Sequence, residues 1–286
     1  SPVLAGETPS VLLAVPVPGA PLALQAEPLG LLFALIAAVL WVATTVYAIG
    51  YMRGHGEKHQ TRFFAFFAIA ISATMGVALA QNLFTLFLFY ELLTLSTYPL
   101  VTHAGSDEAR RGGRVYLGIL MGTSMGFLLL AVIWTWQLAG TTAFHPGGIL
   151  ADKGSPVVVG VLYALFAFGI GKAALMPFHR WLPAAMVAPT PVSALLHAVA
   201  VVKAGVFAIL KITVYVFGLD LLSVTGATTP ILWVAAITII GASLVALHQD
   251  NLKRRLAYST ISQLSYVVLG AVLANTAGIA GAAVHI

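Results

Sequence analysis

Eight stretches of this chain are apolar for long enough to cross a bilayer: 28–52, 63–80, 83–102, 115–138, 157–187, 190–217, 230–247 and 256–274. About 30 Å of hydrocarbon takes roughly 20 residues of helix. In lipid the backbone finds no water to bond to, so uninterrupted apolar runs of this length are helical. A ninth run opens at Ala277 and reaches only Ile286, so the chain is expected to stop inside that helix. The expected fold is all-α: a polytopic membrane helix bundle of about eight complete spans plus the start of a ninth.

Only 8% of the 286 residues are charged, where a soluble domain carries about 25%. There is no cysteine, which removes disulfides, thiolate metal sites, iron–sulfur ligation and cysteine nucleophiles. No cofactor and no metal is expected. Residues 1–27 hold Pro2, Pro9, Pro16, Pro18 and Pro21 and predict an extramembrane strand or hairpin. Residues 28–286 are expected to form the transmembrane domain.

Alternating the spans across the membrane sorts the basic residues. Ten of the 14 fall on one side: Arg53, Lys58, Arg62, Arg110, Arg111, Arg114, Arg180, Lys253, Arg254 and Arg255. The other side has Lys153 in its loops. Cytoplasmic loops carry the basic excess of membrane proteins, so the loops with Arg53, Arg110, Arg180 and Lys253 are expected in the cytoplasm of a plasma-membrane protein. The same excess needs no nucleic acid to explain it.

The charges left inside helices are the candidate site. Glu91 lies about 13 Å into its span, too deep to snorkel. An unpaired charge there costs at least about 2.5 to 3.5 kcal/mol. It is paired, protonated or facing water; the alternative role is a neutral carboxyl gluing two helices. Lys172 is flanked by Gly169 and Gly171 and followed by Pro177 and Pro183, which predicts a helix break near Met176 and Pro177. Freed carbonyls at such a break are ingredients of ion sites in transporters. Lys203 shares its helix with His197 and Lys211, giving that helix a polar face. Lys211 could instead snorkel, and His197 could simply bond a neighbouring helix.

Other polar features have plainer readings. His55 and His59 have the i, i+4 spacing of metal ligands but no third ligand in a short loop. Asp250 sits among Lys253, Arg254 and Arg255, as expected of a solvated, helix-capping loop. Trp134, Trp136 and Trp181 lie near span ends, where tryptophans anchor at the interface.

Three stretches carry a resemblance: FLFYELLTLSTYPLVTH, GKAALMPFHRWLPAAMVAPTPVSALLHAVAVVKAGVF and DNLKRRLAYSTISQLSYVVLG. They resemble the antiporter-like membrane subunits shared by Mrp-type cation/proton antiporters, membrane-bound hydrogenases and respiratory complex I, with the D-type Mrp subunit as the branch leaned towards. The resemblance implies inverted five-helix repeats, each with a broken helix, and a row of buried charges along the membrane midplane. It places Glu91 at the family's glutamate and Lys172 at the lysine of the first broken helix. Lys203 matches a lysine of the next helix, His197 a histidine seen in some members, and His285 the first of a histidine pair. The chain would then hold roughly the third to tenth helices of a complete subunit.

The function so implied is proton translocation in a multisubunit monovalent cation/proton antiporter. The partners would be other membrane subunits, protons, Na+ or K+, and the lipid bilayer. A Glu91–Lys172 ion pair would open and close, passing a proton on to Lys203 and His285. Two alternatives remain: a proton-pumping subunit of a redox-driven complex, or a non-conducting structural subunit.

Overall fold

The computed structural model describes residues 3, 6–195 and 200–286. A hairpin of β1 (Ser10–Val17) and β2 (Ala20–Gln25) leads into α1 (Pro28–Gly54), α2 (Gln60–Ala78), α3 (Leu83–Val101) and α4 (Asp107–Ala139). Then come α5 (Pro156–Gly169), α6 (Val201–Phe217), α7 (Leu219–Thr225), α8 (Thr229–Leu247), α9 (Leu252–Val272) and α10 (Thr276–His285).

The hairpin follows from its turn. Proline presets the first central position of Pro18-Gly19 and glycine takes the left-handed second; Gly19 has φ 80°. The strands pair antiparallel, with Ser10 opposite Gln25 and Val17 opposite Ala20. β1 is exposed along its whole length. β2 is tied to the α2–α3 corner: Ala23 N–H donates to Thr85 Oγ1 (3.1 Å) and Asn82 Nδ2 to the Pro21 carbonyl (2.8 Å).

Helix starts are set by short polar side chains that satisfy first-turn N–H groups. Asn82, Ser106, Ser155, Asn251 and Asn275 accept from Thr85, Ala109, Val158, Arg254 and Gly278. The outside of the bundle is apolar, as lipid requires: Leu35 is 64% exposed on α1 and Ile240 62% on α8.

Among the described residues, five helices are long and apolar enough to cross a membrane, α1 to α4 and α8. α6 and α7, bent by 85° at a break, would make a sixth if taken as one span. The count of eight from apolar length is therefore not reproduced, for local reasons. The run 157–187 is a continuous helix only to Gly169, and the rest of it is divided into single turns such as Gly171–Ala173 and Trp181–Ala184. In the run 190–217, α6 begins at Val201. α9 is diluted by Ser259, Thr260, Ser262, Gln263 and Ser265.

The chain unwinds at Ile170, ahead of the break expected at Met176 and Pro177. Gly169 approaches the Leu128 backbone, and Gly171 the Thr123 hydroxyl, too closely for any side chain. The freed backbone groups find side chains instead, as buried groups must. Lys172 N–H donates to the Tyr90 hydroxyl (3.1 Å), Trp181 Nε1 donates to the Gly171 carbonyl (2.9 Å), and Met176 N–H donates to Thr238 Oγ1 (3.2 Å). Trp181 is thus not an interfacial anchor: it is fully buried beside the break and packs edge-on to Tyr116.

α6 lies directly against this unwound turn. A Cβ on Gly205 would sit 2.5 Å from both the Lys172 carbonyl carbon and the Ala173 nitrogen. Neither atom can rotate away, so Gly205→Ala is expected to destabilise by about 1–3 kcal/mol through overpacking. Thermal unfolding in detergent measures this, and a midpoint equal to wild type would mean the two segments separate freely.

Candidate functional site

α3 is an apolar helix with one polar stripe. Tyr90, Glu91, Thr94 and Thr97 follow helical spacing, and all four are buried. Opposite Tyr90 and Thr94 stands the unwound turn carrying Lys172, which is fully buried.

The Lys172 ammonium donates to the Tyr90 carbonyl (2.9 Å) and to Thr94 Oγ1 (2.5 Å), and lies 3.2 Å from the centre of the Tyr90 ring. Oxygen lone pairs and a ring face are the neutral partners able to hold a cation without a counter-charge. Thr97 Oγ1 and the Tyr116 hydroxyl are hydrogen-bonded at 2.5 Å, which locks α3 to α4 one turn further along. Serine 124, in a π-helical turn of α4, and Lys172 are the polar groups around Glu91.

The expected Glu91–Lys172 ion pair is not formed. Among the described residues the one Lys or Arg ion pair is Lys211–Glu27, and the His103 imidazole lies 3.9 Å from the Glu57 carboxylate. Neither carboxyl oxygen of Glu91 makes a hydrogen bond of full geometry, although the side chain is buried and the Ser124 hydroxyl is its neighbour. The site therefore holds a cation on neutral acceptors, with an unpaired carboxyl on the residue next to one of them.

The other candidates are dispersed. Lys203 is half-buried on α6 and has no polar partner among the described residues. His197 lies outside the described residues. Pro177 falls within the unwound stretch and not at its start. His285 is exposed on α10 and pairs with Gln263 Oε1 at 3.1 Å, so it does not join the buried row. Asp250 is exposed in the loop before α9, whose start is capped by Asn251. His55 Nδ1 donates to the Tyr51 carbonyl of its own helix. It shares with His59 and His103 a polar cavity of about 550 Å³ at one end of the bundle. Burial pushes the His103 imidazole below its ordinary range, against the opposing pull of Glu57.

Lys211 is the second buried cation, and it does not snorkel. Its ammonium lies 2.6 Å from Glu27 Oε1 and donates to the carbonyls of Ala78 (3.2 Å) and Ala80 (2.7 Å). Those carbonyls close the C-terminal end of α2, where the helix dipole favours a cation. Glu27 joins the hairpin to α1, so one ion pair binds the hairpin, α1, α2 and α6 together. Sequence reasoning assigned Glu27 to the extramembrane segment and missed this pairing.

Residues 80–286 match the family described as NADH:quinone oxidoreductase/Mrp antiporter, transmembrane. A Staphylococcus epidermidis protein named antiporter subunit mnhA2 is 33% identical over 256 residues, covering 86% of this chain and 30% of the relative. The NADH-quinone oxidoreductase subunit N of Desulforudis audaxviator is 32% identical over 260 residues, covering 88% of this chain and 50% of its own length. A structure of the Mrp complex from Dietzia sp. DQ12-45-1b superposes with a TM-score of 0.84 at 29% identity, over 98% of this chain and 30% of that one. The chain thus spans 30% to 50% of the length of these relatives. It belongs to the NADH:quinone oxidoreductase/Mrp antiporter family of transmembrane subunits.

Proposed function

We propose that the chain is the proton-translocating part of a membrane subunit in a multisubunit monovalent cation/proton antiporter. The observation that carries this reading is the fully buried Lys172, held on neutral acceptors beside the unpaired carboxyl of Glu91. A merely structural pair would be expected to close its ion pair, because an uncompensated buried charge is costly. An open pair has a second arrangement available, in which the ammonium leaves Tyr90 and Thr94 for Glu91. Alternation between the two moves one positive charge along the midplane and passes a proton towards Lys203 on α6. The loops with Arg53, Arg110, Arg180 and Lys253 face the cytoplasm in this reading, and the helices from α1 onwards form one repeat of an inverted pair. Neighbouring membrane subunits complete the pathway, with Na+ or K+ as the exchanged ion.

The likeness to a quinone oxidoreductase subunit favours one second reading, a proton pump driven by a separate redox module. The complex containing this chain, reconstituted in proteoliposomes with a pH-sensitive dye, separates the two. Proton movement on imposing a Na+ or K+ gradient is the expected result. Movement only on adding an electron donor and quinone would replace the antiporter by the pump, and movement under neither condition would overturn both.

A further inference from the structure

α4 is longer than the membrane needs. Its 33 residues make about 50 Å of helix against about 30 Å of hydrocarbon, so one end stands in the headgroup layer. The polar end is the first: Arg110, Arg111 and Arg114 follow Asp107 and Glu108, and the apolar run begins at Val115. The three arginines, with Asp107 and with Tyr98 from the end of α3, line a cleft of about 520 Å³. All three are exposed. Among the described residues none of them takes part in an ion pair, and none of their guanidinium groups donates a hydrogen bond.

Below this cleft, the outer face of α4 carries a row of positions without side chains. Gly112, Gly113, Tyr116 and Leu120 face the protein. Gly118, Gly122 and Gly126 face away from it, and a side chain added at any of them would meet nothing within 4 Å. Counting in fours from Arg114, these positions form one slowly turning stripe. Lipid-facing Val115 and Met125, 41% and 44% exposed, flank it. Such small-residue stripes ordinarily receive a second helix; among the described residues nothing lies over this one.

We propose that this face of α4 binds one anionic phospholipid, with its phosphate on Arg110, Arg111 and Arg114 and an acyl chain along the row of Gly118, Gly122 and Gly126. Charge complementarity selects the occupant. Guanidinium forks match phosphate oxygens two at a time, and three unpaired ones stand where the apolar run of α4 begins, on the same side of the helix as the side-chain-free row of Gly118, Gly122 and Gly126. The proposal is independent of the transport reading.

The test is retention of added lipid by the purified full chain in native mass spectrometry. The probes are dioleoyl phosphatidylglycerol, dioleoyl phosphatidylcholine and glycerol 3-phosphate. Phosphatidylglycerol is expected to be retained in preference to the other two. Each arginine near an anionic surface is worth about fivefold in affinity, so R110Q/R111Q/R114Q is expected to weaken phosphatidylglycerol by about 100-fold. Gly118→Leu with Gly122→Leu fills the row without touching the arginines and is expected to weaken the same lipid. Equal retention of both lipids, or phosphatidylglycerol unchanged in both variants, overturns the proposal. Glycerol 3-phosphate held as firmly as the lipid makes this a free-phosphate site instead. Gly122→Cys, the one thiol in a chain without cysteine, capturing a protein helix by cross-linking makes it a subunit interface instead.

Discussion

Lys172→Ala is expected to bring proton flux in proteoliposomes of the complex down to the level of protein-free vesicles. The side chain is fully buried and, among the described residues, supplies the one charge held by the Tyr90 carbonyl and Thr94 hydroxyl. Removing it takes away the group that would carry the proton and leaves the Tyr90 carbonyl to the Thr94 hydroxyl, which already donates to it at 3.2 Å. Because alanine also opens a cavity, the decisive variant is Lys172→Arg. Arginine keeps the positive charge but does not give up its proton at any working pH. Flux lost in both variants, with thermal midpoints near wild type for Arg, means that release of a proton from position 172 is required. Flux retained by Lys172→Arg would reduce the residue to a fixed charge and sink the relay. Glu91→Gln keeps the shape of the unpaired carboxyl without its charge, and is expected to lose flux alongside Lys172→Arg.

The largest effect on stability is expected at Lys211. Lys211→Ala strands the carboxylate of Glu27 in a buried position, and breaking a buried pair on one side costs about 3–5 kcal/mol. The carbonyls of Ala78 and Ala80 lose their donor at the same time. The double variant Lys211→Met with Glu27→Leu removes both charges, and replacing a whole buried pair by apolar groups is often close to neutral. Thermal unfolding of wild type, Lys211→Met, Glu27→Leu and the double variant forms a cycle that isolates the coupling. Strictly additive effects would show that the two residues are stabilised by their separate surroundings and not by each other.

Much of the fold was legible because apolar length is a direct consequence of bilayer thickness. α1, α2, α3, α4 and α8 stand where the apolar runs place them, within a few residues apart from the earlier polar start of α4 at Asp107. The break was legible in kind but not in position. Prolines 177 and 183 announce it, yet its start at Ile170 depends on the Tyr90 hydroxyl and the Trp181 indole reaching the backbone from elsewhere. No local pattern contains those contacts. Glu91 and Lys172 were legible as buried charges because charge in an apolar run is conspicuous. Tyr90, Thr94 and Thr97 are not, since aromatic and hydroxyl residues are common in membrane helices; their helical spacing beside Glu91 was the available signal. The open pair between Glu91 and Lys172 was not legible at all, because the sequence contains both charges but not the neutral acceptors that compete for the ammonium. Glu27 escaped because its segment reads as extramembrane while its side chain turns inward to Lys211.

The placement of the acceptors for the two fully buried lysines bears on how the chain enters the membrane during synthesis. A lysine at helix centre costs about 2.5–3.5 kcal/mol on insertion. Lys172 is received by Tyr90 and Thr94, and Lys211 by Glu27, Ala78 and Ala80. Every one of these acceptors leaves the ribosome before the lysine it receives. The hairpin, α2 and α3 can therefore be assembled in lipid while α6 is still being made, and each costly cation arrives at a berth already built. A permuted chain that translated α6 first would have to insert Lys211 with nothing to receive it.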